Sequence, residues 1–376
     1  MTCTSIYKTK ASAKREEEKA IYIQDIVSKI NIHNPANLWI RLNDMGIDND
    51  LGLVRGRMYR GAVNKCVNLL VHYPEGCSAN CAYCGLAKKR PGAYKEKSFI
   101  HVDWPIYSME EIVAAIKGAP SYVQRTCISM ITNGKCRKDT LEMTARLKRE
   151  TSLPISILIS PTILERKDLL AMKDAGAQKV GIAIDLATPE LFERYRGAGV
   201  SGPHKWHRYW NILVDALEIF GRPHVGAHLM VGMGETEQEM VSLMQKLWDM
   251  GVANHLFSFF AEKGSVLAGR PQPPWPNYLR VQLARYLIEE NLSAYDRMDF
   301  DDGGRIVNFG VDVDSLFDII DLGTPFMTTG CLGRNGEVAC NRPFGNCLPD
   351  DMQWNYPYPP NEDELALILQ HIFRMD

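Results

Sequence analysis

Short apolar runs alternate with amphipathic stretches along most of this chain. Runs at 67–72, 127–131, 155–159, 179–184, 225–231 and 256–260 have the length and β-branched content of buried strands. Between them, apolar residues recur at helical spacing over 109–116, 139–148, 164–175, 206–220 and 236–250, with a short helix opened by Pro189 and a last one over 278–292. Ser108 stands where an N-cap is expected for the first of these helices.

Six consecutive βα units predict a parallel sheet, because each crossover returns the chain in the same direction with the same hand. Such a sheet closes or part-closes into a barrel of about six units, or stays open and doubly wound. Two segments fall outside the pattern. A charged amphipathic helix is predicted over 13–32, with Ile21, Ile23, Ile26, Val27 and Ile30 on its apolar side. The tail beyond Asp301 loses the alternation. The reading is therefore an α/β chain with an N-terminal helical extension (1–58), a barrel (59–300) and a C-terminal extension (301–376).

Composition narrows the function classes. Lys and Arg number 43 against 45 Asp and Glu, a net charge of −2, which gives no basic footprint for nucleic acid. The run Lys88-Lys89-Arg90 reads as a solvated loop. No apolar stretch approaches the roughly 18 residues of a membrane span, and the N-terminus lacks the apolar centre of a signal peptide. A cytoplasmic protein is expected. Ten cysteines in such a setting point to metal binding or chemistry rather than disulfides.

The spacing of three of them is the strongest signal. Gly76-Cys77-Ser78-Ala79-Asn80-Cys81-Ala82-Tyr83-Cys84-Gly85 follows the first strand directly, at the barrel end where catalytic groups collect. Three thiolates leave a structural zinc short of its fourth ligand. They suit three corners of a cubane, with one iron left for a non-protein ligand. A zinc knuckle with a distant fourth ligand is the alternative.

This CxxxCxxC segment with Tyr83 resembles the radical S-adenosylmethionine (SAM) superfamily. The resemblance implies a 4Fe–4S cluster on Cys77, Cys81 and Cys84 that chelates SAM and cleaves it reductively to a 5′-deoxyadenosyl radical. It also implies that Thr132-Asn133-Gly134 meets the methionine amino group and Asp185 the ribose hydroxyls, while Met230, Gly232 and Glu235, within His228–Thr236, flank the adenine. Taken alone, each of these segments could be a plain turn, loop or helix cap.

A second cysteine group lies in the tail. Cys331, Cys340 and Cys347 sit in a Gly/Asn-rich loop whose Asn335-Gly336 is a hairpin signal that folds the first two thiols together. An auxiliary 4Fe–4S cluster is expected, a zinc ribbon being the alternative. Its fourth ligand is open: Cys66 and Cys136 are candidates, and Cys66 requires the tail to pack beneath or beside the barrel. Cys127 reads as a small buried hydrophobe, and Cys3 is assigned nothing.

From about residue 59 to 268 the barrel resembles the biotin synthase-like group. Biotin synthase holds its auxiliary cluster on cysteines of the second, third and fifth strands plus an arginine, whereas the third and fifth strands here carry no cysteine. The terminal block around Cys331, Cys340 and Arg342 looks instead like the two-protein lipoyl synthases of archaea and some bacteria. That likeness implies sulfur insertion at carbon six or eight of an octanoyl chain on a carrier protein or peptide, with sulfur from the auxiliary cluster. It implies a paralogous partner subunit and an electron donor such as ferredoxin or flavodoxin. Arg342 would steer a carboxylate or the carrier, or is a surface arginine. The rivals are a radical SAM enzyme whose auxiliary cluster only relays electrons or anchors substrate, a non-catalytic iron–sulfur electron carrier that needs no SAM, and a zinc-bound interaction module.

Overall fold

The computed structural model describes residues 39–42, 63–93, 97, 100, 104–341 and 354–374. The helix expected over 13–32 lies outside them, as do Cys3, Arg342 and Cys347. Among the described residues, no helix is long and apolar enough to cross a membrane.

Six parallel strands carry the molecule: β2 (Cys66–Val71), β4 (Arg125–Ser129), β5 (Ile155–Ile159), β6 (Ala177–Asp185), β7 (Val225–Val231) and β8 (Ala253–Ser258). Two short strands that the apolar pattern did not signal, β1 (Trp39–Leu42) and β3 (Ile106–Ser108), add to the β2 edge, and both of their pairings are antiparallel. The sheet order is β3-β1-β2-β4-β5-β6-β7-β8, with β3 and β8 unpaired to each other, so the barrel is partial.

Between the strands run α1 (Met109–Lys117), α2 (Cys136–Glu150), α3 (Arg166–Asp174), α4 (Pro189–Tyr195), α5 (Trp206–Phe220) and α6 (Glu237–Met250), and α7 (Trp275–Glu289) follows β8. Local chemistry sets several starts. Ser108 caps α1 and Thr236 caps α6, each in a reciprocal capping box with Glu111 or Glu239. The sixth strand begins three residues earlier than its apolar run, because Asn254 and His255 occupy ladder positions that hydropathy alone does not mark as strand.

The sheet's two faces differ. Val67, Leu69, Ile128, Ile157, Val180, Ile182, Val225, Ala227 and Leu229 alternate onto the helix-covered outer face and are fully buried. The register puts Asn68, Cys127, Ser156 and Lys179 side by side on the inner face, and one step up Leu70, Ser129, Leu158 and Gly181. A barrel plugged by layers of Val, Ile and Leu has no room for a ligand. Here Asn68, Cys127, Ser156, Lys179, Ser129 and Gly181 stand in such positions beside Leu70 and Leu158.

Beyond α7 the chain forms a hairpin of β9 (Asp299–Phe300) and β10 (Ile306–Asn308), then α8 (Val313–Asp321), a loop through Asn341, and α9 (Glu362–Ile372). A buried ion pair fastens this tail. Arg280 of α7 donates to Glu237 at 2.6 Å and to the carbonyl of Ile372 at 3.0 Å, while Glu237 accepts from the Ile306 amide at 2.8 Å.

Candidate active site

The cysteine loop leaves β2 at the C-terminal rim and is fastened at both flanks. Gly76 turns with a φ of 71°, a conformation that favours glycine. The Ser78 amide and hydroxyl both donate to the Thr132 carbonyl at 2.7 Å, and the Asn133 amide donates to the Gly76 carbonyl at 3.1 Å. On the other side the Ala82 amide donates to the Tyr195 carbonyl at 2.8 Å. Thr132 and Asn133, expected to meet cofactor, thus brace the loop through these groups. A Cβ at Gly134 would meet open space, so its backbone stays approachable.

Cys77, Cys81 and Cys84 face one another. Burial pushes the Cys81 thiol up to about 11 against the pull of Arg196, with Cys77 and Asp185 adding to the rise. Burial also raises Cys84, and its two sister thiols raise it further. Crowded thiols of this kind lose their protons when cations arrive between them. The Leu86 amide already points at the Cys84 sulfur, 3.4 Å away.

Tyr83 links this loop to the fourth parallel strand. Its hydroxyl donates to Asp185 Oδ2 at 2.5 Å, and Arg196 lies 3.1 Å from the same oxygen. Asp185 sits at φ 64°, where the β6–β7 register shifts, a left-handed conformation that few non-glycine residues adopt. Arg196 also donates to the carbonyls of Ala183 and Ile184 and to the Tyr209 hydroxyl, so it gathers the end of β6 around itself. Sequence reasoning missed Arg196: it follows a short helix, at no motif spacing.

Beyond β7, Gly232 (φ 103°) and Gly234 (φ 113°) bend a loop that closes on Glu235. Both Glu235 oxygens accept within the loop, from the amides of Gly232 at 2.6 Å and Met233 at 2.9 Å. Glu235 therefore shapes the turn through its carboxylate. Met230 shares the inner face with His228, beside Phe257 in the register. A cleft of about 550 Å³ opens next to this loop, lined by residues including Gly232, Arg270, Asn277 and Arg305, and none of the three rim cysteines borders it.

A second group of thiols gathers at the opposite end of the barrel. The Leu332–Val338 bridge closes a hairpin over Asn335-Gly336, as the turn signal predicts, and brings the Ala339 amide to the Cys331 carbonyl at 2.9 Å. This hairpin docks on the strand starts. Arg125 donates to the Leu332 carbonyl at 2.5 Å, Asn341 donates to the Val63 carbonyl at 3.0 Å, and Lys65 pairs with Glu337 at 2.9 Å.

Docking places Cys340 against Cys66. A hydrogen bond between those thiols and burial drive Cys66 well above its ordinary value, and Cys340, Cys127 and Cys331 add by proximity. Two expectations change here. Cys127 is not a core hydrophobe: strand alternation turns it to the inner face, half-buried, into the company of Cys66. Cys136 is no fourth ligand: as the first residue of α2 it lies beside Thr140, Tyr73 and Asp139.

Among the described residues no three His, Cys, Asp or Glu side chains converge as they would around one metal ion. Neighbouring thiols such as these suit a cluster, which spreads its ligands over several irons. Both groups have the soft donors that such clusters take.

Residues 71–247 match the family model described as the Radical SAM superfamily. The chain carries a radical SAM domain. That match contains all three rim cysteines, Asp185 and Arg196. Biotin synthases of Streptococcus agalactiae, serotypes V and III, are 25% identical to this chain over 192 residues, 49% of it and 52% of theirs. The biotin synthase of Persephonella marina is 23% identical over 290 residues, 76% of this chain and 79% of its own. The chain thus spans about half the length of the first two relatives (52%). Among solved structures, HydG, a maturase of the FeFe-hydrogenase, overlays 60% of this chain and 49% of its own with a TM-score of 0.42 and 12% identity.

Proposed function

We propose that this radical SAM protein inserts sulfur into a protein- or peptide-bound octanoyl chain, as one component of a lipoyl synthase. The observation that supports this most is the position of the second thiol group. Cys66, Cys127, Cys331 and Cys340 gather at the strand starts of the partial barrel, and Cys77, Cys81 and Cys84 lie at the opposite rim. A substrate between them faces both.

When bound, a 4Fe–4S cluster carrying SAM supplies a 5′-deoxyadenosyl radical at the rim, and a second 4Fe–4S cluster supplies the sulfur. The chain's own residues do the positioning. Tyr83, Asp185 and Arg196 lock the rim loop to β6, and Glu235 fixes the turn that follows β7. Leu70, Leu158, Met230 and Phe257 share the inner face and offer apolar contact to a short acyl chain. The reading extends to an octanoylated carrier, a paralogous partner subunit and a ferredoxin- or flavodoxin-type electron donor. The relatives named biotin synthase agree with sulfur chemistry at the level of the domain.

The test is anaerobic mass spectrometry of an octanoylated carrier-domain peptide incubated with reconstituted protein, dithionite and SAM, with and without the partner. Gain of one sulfur alongside 5′-deoxyadenosine is expected. 5′-Deoxyadenosine with an unchanged peptide would remove the octanoyl substrate from the reading and favour a relay or anchoring role for the second cluster.

A further inference from the structure

The inner face of the barrel carries three basic side chains that the reading above leaves unused. Lys179 of β6 is 7% exposed, and among the described residues its ammonium group has no carboxylate or hydrogen-bond partner. His255 of β8 is 5% exposed with neither ring nitrogen paired. Its ring lies 5.7 Å from that of His228 on β7. Glycines make room for the pair: a Cβ at Gly226 would lie 2.7 Å from His255 Nε2, and one at Gly181 would lie 3.6 Å from His228 Nε2.

Two buried ring nitrogens without partners are costly, and a largely enclosed ammonium group with no carboxylate beside it is suited to hold an anion. The environment of His255 adds no relief. Burial first, then Lys179, His228 and Arg285, drive its protonation well below the ordinary range. This wall calls for a partner from outside the polypeptide, and the register gives the row beside which it would sit. Cys127, Ser156 and Lys179 occupy one row of adjacent strands, so Lys179 stands two strand spacings from Cys127, about 10 Å between Cα atoms. A lysine side chain spans much of that distance. Cys66, Cys127, Cys331 and Cys340 are neighbours beside this row, and a cluster held by four thiolates would be an anion whose potential depends on nearby charge and on N–H donors to its sulfurs.

We infer that Lys179 and His255, supported by His228, form the charge-balancing and hydrogen-bonding wall of an iron–sulfur cluster held by Cys66, Cys127, Cys331 and Cys340. This inference rests on the second cluster of the proposed function. It adds that the cluster sits against the inner face of the barrel rather than on the outer surface of the tail. Lys179 and His255 are positioning residues here. They stabilise the more negative, reduced state of the cluster and thereby raise its potential.

The experiment uses the full chain with Cys77, Cys81 and Cys84 changed to Ala, so that only the second site loads iron. After anaerobic reconstitution with iron and sulfide, the cluster is titrated electrochemically and followed by electron paramagnetic resonance. In this background Lys179→Met is expected to lower the reduced-to-oxidised ratio at a fixed potential at least tenfold, about 59 mV for one electron, at unchanged iron content. Lys179→Arg is expected to restore it, and His255→Phe to shift it in the same direction by a smaller factor. Full iron content with a ratio within twofold of the parent in both Lys179→Met and His255→Phe overturns the inference while leaving the second cluster standing. A background protein that folds yet binds no iron removes the second cluster and this inference together. Should Lys179→Met fail to fold, the His255→Phe and Lys179→Arg titrations decide.

Discussion

Removing Arg196 tests how the rim is held together. Its guanidinium and the Asp185 carboxylate are 7% and 14% exposed, and Arg196 lies 3.1 Å from the oxygen that also takes the Tyr83 hydroxyl. An exposed pair of this geometry is worth about 0.2–1 kcal/mol. Inside the protein, deleting one partner leaves the other charge uncompensated, at a cost of about 3–5 kcal/mol. Arg196→Met also strips a donor from the carbonyls of Ala183 and Ile184 and from Tyr209. At about 2–4 °C per kcal/mol for a domain of this size, Tm should fall by roughly 6–20 °C. Asp185→Asn in the same chain should recover part of that loss, because no charge is then stranded. The interaction energy across the four proteins should reach about 0.5–3 kcal/mol. Thermal unfolding under argon, with iron content measured in parallel, gives all four values. A single-variant loss below about 1 kcal/mol, or an additive double variant, would refute the buried-pair reasoning.

Acid sensitivity should trace in part to His204, whose Nδ1 meets Thr162 Oγ1 at 2.6 Å. Burial, and then Arg196, push its protonation down from 6.5 to about 2. The unfolded chain thus binds a proton that the folded chain refuses. The stability from this ring is present above pH 6.5 and is lost as pH falls from there toward 2, at about 1.4 kcal/mol per pH unit. His204→Asn should flatten the acid limb of the unfolding free energy by that slope, and parallel curves would contradict it. Gly232→Ala should cost about 1–2 kcal/mol for a side chain at φ 103°, beyond the clash with the Pro273 ring 2.6 Å away; calorimetry measures the stability loss, and SAM binding is expected to weaken with it. Finally, Cys127→Ala should lower bound iron and sulfide by the share of the second site, while Cys136→Ala leaves both unchanged. Elemental analysis of reconstituted protein separates the two.

Much of this architecture is legible in the amino-acid order because local and global signals agree. The strands Ile155–Ile159 and Val225–Val231 and the helix Trp206–Phe220 start and stop where their apolar periods do. The rim cysteines were found by spacing alone. What stayed hidden depends on facing rather than on order. Lys179, His228 and His255 lie far apart in the chain, and only strand register brings them to one surface. Cys127 looked like filler because a half-apolar strand has no mark for which face is inward. Arg196 acts through the bulge at Asp185, a backbone irregularity that no periodicity announces. The short antiparallel strands β1 and β3 depend on an edge that exists only once β2 is in place.

The docked hairpin has a consequence in time. The rim thiols and the strands that first surround them emerge from the ribosome early, whereas the base site borrows Cys66 and Cys127 from the start of the barrel and Cys331 and Cys340 from near its end. At about 5–20 residues per second, the roughly 200 residues between Cys127 and Cys340 take about 10–40 s to make. For that interval the nascent chain holds two inward-facing thiols with no lid, open to whatever metal or oxidant reaches them. On the proposed reading, the base site is therefore complete only when the tail folds shut, well after the rim cysteines have been made.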